Sequence, residues 1–143
     1  MLENVLSNNP KPYSYLTSNV TATTTVMGPT GLVVYLAANT NYCINCKLWN
    51  VANGDGMQNQ LIFSGASAPS GIIYWSDVIA AAYEPKAING SAFGYTTTDG
   101  VIEASGILRT ASAGRLLVYY GKITDATDDS QLLAGSYLVA TQL

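Results

Sequence analysis

The sequence predicts an all-β fold, an antiparallel β-sandwich. Three observations predict it. Short runs rich in β-branched and aromatic residues recur along the chain, and several alternate apolar with polar positions. Clusters of Gly, Asn and Asp separate these runs, as turns separate strands. The last two runs, 115–123 and 134–143, are apolar on both faces. In a two-sheet sandwich only one face of each sheet meets the core, so the other face of such strands needs a covering segment or another subunit.

Residues 1–30 read as an N-terminal arm, partly extended. Pro10 and Pro12 flank Lys11 and oppose regular pairing. The stretch 13–26, YSYLTSNVTATTTV, favours extended backbone, and its Thr21–Thr25 portion fits either a strand or a linker. Gly28-Pro29-Thr30-Gly31 reads as a turn, and the sandwich is expected over 31–143. A strand is predicted over 32–38, closed by Asn39-Thr40-Asn41. In the next, 42–49, Tyr42, Ile44, Cys46 and Leu48 fall on one face, with Cys43, Asn45, Lys47 and Trp49 on the other.

Asn53-Gly54-Asp55-Gly56 is a tight loop and 60–65 a short strand. Within 66–98, Ile72-Ile73-Tyr74-Trp75 reads as a strand and DVIAAAY, 77–83, as one helical turn ended by Pro85. From 100 to 110, Ile102, Ala104, Gly106 and Leu108 share a side, opposite Val101, Glu103, Ser105 and Arg109. Ala113-Gly114 turns the chain into 115–123, and the polar loop 124–130 precedes the closing strand.

Composition excludes several functions. At 143 residues the chain is one domain's worth, and 48% of it is hydrophobic, enough for a core. Only 10% is charged, well below the usual ~25%. Asn, Ser, Thr, Gly and Tyr therefore cover the surface, which suits packing against protein or simply a neutral coat. The six basic residues are scattered, so nucleic-acid binding, which needs clustered cations, is not expected. No run of about 18 apolar residues is present to span a membrane as a helix. The opening MLENVLSNNPKPYSYL lacks a secretory pattern, which predicts synthesis and retention in a cytoplasm.

Chemistry is sparse as well. With no histidine, neither a Ser-His-Asp nor a Cys-His arrangement can be built. Cys43 and Cys46 form a C-x-x-C pair, but zinc needs four ligands and no other cysteine exists. On a strand the two thiols point to opposite faces, so both are expected to be reduced packing residues. Among nine carboxylates, Glu103 alone lies inside a firmly read strand, on its polar side, so a paired-carboxylate hydrolase is not expected. Asp125, Asp128 and Asp129 match no EF-hand spacing and read as a solvated loop. No catalytic, cofactor or metal site is assigned. Ten tyrosines suit either strand packing or interfaces.

The stretch 100–143 carries a resemblance. GVIEASGILRT, then AGRLLVYYGKITDATDDS, then LAGSYLVATQL resemble the C-terminal part of small jelly-roll domains in bacteriophage virion proteins: capsid decoration proteins, head fibres and tail-associated trimers. ANTNYCINCKLW resembles an earlier strand of the same domains. The resemblance implies a jelly-roll-like homotrimer without enzymatic activity, located on the virion. Its partners would be other copies of itself and the major capsid protein or another virion protein. On that reading Leu117, Tyr119, Tyr120, Tyr137 and Val139 are candidates for the subunit interface. Pro10, Lys11, Pro12, Tyr13 and Tyr15 are candidates for a capsid-contacting arm. The alternative is a tail- or fibre-associated module binding a receptor or glycan, with Trp49, Trp75 or Tyr83 lining a groove.

Overall fold

The computed structural model describes residues 12–51, 56–79, 82–95, 99–124 and 129–143. Among these, twelve strands form two antiparallel sheets, and no helix is present. The fold is a β-sandwich, as predicted.

The centre of the larger sheet is built by the two strands whose alternation was clearest. β4 (Asn41–Val51) pairs along its whole length with β9 (Asp99–Arg109). Their inward positions, Tyr42, Ile44, Cys46 and Leu48 facing Ile102, Ala104 and Leu108, are buried. The other edge of β9 holds β6 (Ser70–Asp77), which in turn holds β7 (Ala82–Ala87). On the far side of β4 lies β12 (Tyr137–Gln142), edged by β1 (Tyr13–Tyr15). β11 (Ser130–Leu132) joins the end of β4 to β2 (Val20–Ala22).

The smaller sheet runs in the order β3 (Gly28–Leu36), β10 (Gly114–Lys122), β5 (Met57–Phe63), β8 (Phe93–Tyr95). Leu32, Val34, Leu61, Leu116 and Val118 turn inward from it. Trp75 of the large sheet stacks on Phe93 of the small one, with centroids 6.0 Å apart, and so joins the layers through the core.

Strands β3 to β10 pair as nested partners: β3 with β10, β4 with β9, β5 with β8, β6 with β7. The chain thus behaves as one long hairpin folded over on itself, with outer pairs enclosing inner ones. β1, β2, β11 and β12 extend the large sheet beyond β4.

Several expectations change. Residues 13–30 do not stand apart as an arm. Their backbone pairs at the free edge of β12 and on β11, and Leu16 enters the core. Gly28-Pro29-Thr30-Gly31 is not a chain reversal but part of β3. Between the pairs Leu117↔Val33 and Tyr119↔Pro29, three residues of β3 face the single residue Val118. Gly31 takes φ +97° there, which only glycine adopts without strain, and Thr30 Oγ1 donates to the Val118 carbonyl at 2.9 Å. Turn-type residues encode a bulge here. Of the segment 77–83, read as a helical turn, Asp77 closes β6 and Ala82 and Tyr83 open β7, while residues 80 and 81 lie outside the described residues. Asp77 Oδ1 accepts the Ile79 N–H at 2.9 Å, a local turn at the end of β6.

Candidate functional site

Because neighbouring strands align their side chains row by row, register decides which residues share a surface. On the outer face of the large sheet one row crosses five strands: Tyr137, Lys47, Glu103, Ser76, Tyr83. The next row is Val139, Asn45, Ser105, Tyr74, Pro85, with Tyr13 beside Val139 at the edge.

Rings gather at both ends of these rows. Tyr13 stacks on Tyr15 at 6.3 Å, and Trp49 meets Tyr137 at 6.0 Å. Across the face, Tyr74 stacks on Tyr83 at 5.4 Å. Between the two groups Lys47 Nζ lies 3.3 Å from Glu103 Oε1 and 5.3 Å from the Trp49 ring centroid. A depression of about 180 Å³ sits at this centre, lined by Asn45, Lys47, Glu103, Ser105 and Tyr137.

The outer face of the small sheet differs. Val33, Leu117 and Ile62 form one apolar row across three strands, all half-buried. Tyr119 and Gln60 follow on one side, Arg115 and the exposed Tyr35 on the other. The centre is apolar and the rim polar.

These surfaces split the predicted interface. Leu117 and Tyr119 lie on the outside of the small sheet, Tyr137 and Val139 on the outside of the large one, so the four cannot belong to one flat contact. Tyr120 turns inward instead. It packs against the core, its hydroxyl donates to the Thr21 carbonyl at 2.7 Å, and burial raises its pKa. Pro10 and Lys11 of the predicted arm lie outside the described residues. The Pro12 carbonyl accepts the Ala140 N–H at 2.7 Å, and Tyr13 and Tyr15 join Tyr137 and Val139 on the large sheet's outer face. Trp75 cannot line a groove, being 1% exposed; Trp49 is half-buried and Tyr83 open. Sequence reasoning missed Tyr74 as Tyr83's companion, since only the β6–β7 register brings them together.

A wider cleft of about 760 Å³ opens at one end of the sandwich, between Tyr35, Leu36, Tyr42, Arg115 and Gln142. Its walls are mostly apolar, and the Tyr42 hydroxyl is occupied by the Ala37 N–H at 2.8 Å.

Among the described residues no group of three His, Cys, Asp or Glu could hold a metal. Asp125 and Asp128 lie outside the described residues, and Asp129 Oδ1 sits 3.8 Å from the buried Lys122 Nζ. Cys43 and Cys46 are free thiols, the first half-buried on the outer face, the second in the core. Burial pushes the Cys46 thiol far above its usual range. The native chain therefore keeps that proton at pH values where the unfolded chain loses it, so rising pH favours unfolding. Above about pH 8.5 the thiol's contribution is expected to fall by up to about 1.4 kcal/mol per pH unit. Denaturant midpoints under reducing conditions, followed from pH 7 to 10 for wild type and Cys46→Ala, measure this. The wild-type curve is expected to drop more steeply, and parallel curves would refute it.

No protein-family model matches the chain, and no curated protein matches it significantly.

Proposed function

We propose that the chain is a non-enzymatic structural protein of a bacteriophage virion, a homotrimeric jelly roll that decorates the capsid and stabilises its outer surface. The observation that carries self-assembly is the apolar row Val33–Leu117–Ile62 on the outside of the small sheet. An apolar centre with a polar rim is the anatomy of a protein–protein contact. Of the predicted interface residues, Leu117 and Tyr119 belong to this contact.

Nested pairing supports the jelly-roll reading. Counted from β3, one sheet carries the first, eighth, third and sixth strands, and the other the second, seventh, fourth and fifth. That is the order produced when an eight-stranded hairpin rolls into two Greek keys. The virion setting rests on the resemblance of residues 100–143, and attachment to the major capsid protein is assigned to the segment preceding β1.

Leu117→Glu places a charge in the middle of the apolar row, where a second subunit would have to desolvate it. Light scattering at micromolar concentration is expected to give a trimer for wild type and a monomer of unchanged circular dichroism for the variant. A wild-type monomer would remove the trimer. Electron microscopy of the parent particle tests the setting, and a virion lacking this chain would remove the decoration role.

A further inference from the structure

We propose that the outer face of the large sheet binds a neutral oligosaccharide, with Asn45, Lys47 and Glu103 at its hydrogen-bonding centre and Tyr137 and the Tyr74–Tyr83 pair at its flanks. This inference goes beyond the decoration role and does not depend on it.

The argument starts from the order of chemistry across the face. A protein contact carries its apolar residues at the centre and polar ones at the rim. Along the rows of Tyr137 and Val139 the order is inverted, while Ile107 and Ile72 form an exposed apolar pair in the row beside them. The central depression is lined by an amide, an ammonium, a carboxylate and the hydroxyl of Ser105, while aromatic rings stand on either side. Docking another protein flatly on it would desolvate the Lys47–Glu103 pair without supplying partners, which is costly. Sugar hydroxyls avoid that cost, because each both donates and accepts and so replaces the water on Asn45, Lys47 and Glu103 alike.

The flanks complete the match. A pyranose ring carries C–H groups on its faces, and tyrosine presents apolar area together with a hydrogen-bonding tip. Tyr74 and Tyr83 remain 43% and 67% exposed, although their rings lie within 12° of parallel. From β12 to β6 the face spans three strand spacings, about 14 Å, room for a short oligosaccharide rather than one sugar. The one cation at the centre is balanced by the one anion 3.3 Å away, which selects a neutral ligand over a polyanion. Glu103 is the only carboxylate lining the depression among the described residues, whereas glycoside hydrolysis takes two, so the site binds without cleaving.

A glycan array carrying neutral and acidic bacterial-type oligosaccharides, probed with the full chain, tests this. The expected result is binding to neutral members. Calorimetric titration with a bound oligosaccharide is then expected to show roughly tenfold weaker affinity for Tyr74→Ala and for Asn45→Ala, with circular dichroism and assembly state unchanged. Leu117→Glu is expected to keep the per-chain affinity, so failure of the assembly reading registers separately. An array with no wild-type signal, a signal from acidic members alone, or wild-type affinity in both variants would overturn the proposal. So would dissociation of the assembly by Tyr74→Ala, which would make this face a subunit contact.

Discussion

Trp75→Ala is expected to lower the unfolding free energy by about 3–5 kcal/mol. Trp75 is fully buried on β6 and stacked at 6.0 Å on Phe93 of the opposite sheet. Its removal costs the transfer of a large ring and leaves a void lined by both layers, which β-sheets held by their own ladders cannot close. Against a typical total of about 5–15 kcal/mol, about a fifth or more of the stability would go. Equilibrium denaturation followed by circular dichroism measures it, with the midpoint falling and the slope unchanged. Phe93→Ala is expected to cost a similar amount. The double variant is expected to cost less than the two single losses combined, because the stacked pair is counted twice in that sum. Tyr83→Ala is the contrast: its ring is two-thirds exposed, and the change is expected to stay within about 0.5 kcal/mol. A small loss at Trp75 would return that residue to the list of exposed ligand-binding aromatics.

The difference between those two rings was not legible in the sequence, and the reason is physical. Alternation reports which residues of one strand share a face, so β4 and β9 could be read correctly down to single positions. It does not report which face is inward when both carry apolar residues. On β6, Ile72 and Tyr74 point out and Ile73 and Trp75 point in, and nothing local distinguishes the two pairs. The order of strands is also a long-range property. Tyr13 and Val139 lie at opposite ends of the chain, and only the β1–β12 pairing makes them neighbours. The same limit hid that the predicted interface residues lie on two different sheets. Tyr119 and Tyr137 both lie in strands that read as apolar on both faces, yet they face away from each other across the core. Local signals misled where tertiary context overrode them: Gly28-Pro29-Thr30-Gly31 reads as a turn, but pairing with β10 makes it a bulged part of β3.

Gly106→Val is expected to be the most damaging single change on β9. Gly106 sits opposite Ile44 on one side and Ile73 on the other, both fully buried. The alternating pattern places it inward, where a larger apolar residue would ordinarily gain burial. Geometry reverses the sign. A Cβ at this position would lie 2.3 Å from the Ile72 carbonyl oxygen and 3.0 Å from Ile73 Cδ1. A rotamer change can move Ile73, but the carbonyl belongs to the backbone of β6, so the strand itself must shift. Even Gly106→Ala is expected to cost about 3 kcal/mol, the upper end for overpacking, and valine more. Gly28→Ala calibrates this. A Cβ there meets nothing within 4 Å, so less entropy in the unfolded chain leaves that change neutral or stabilising by up to about 1 kcal/mol. Thermal unfolding of the two alanine variants beside wild type decides it. Equal effects would mean that the approach of β6 to β9 is loose, and that Gly106 is an ordinary small core residue. A large loss confined to Gly106 would mean that the missing side chain lets β6 close on β9, which holds Tyr74 and Glu103 on one continuous surface.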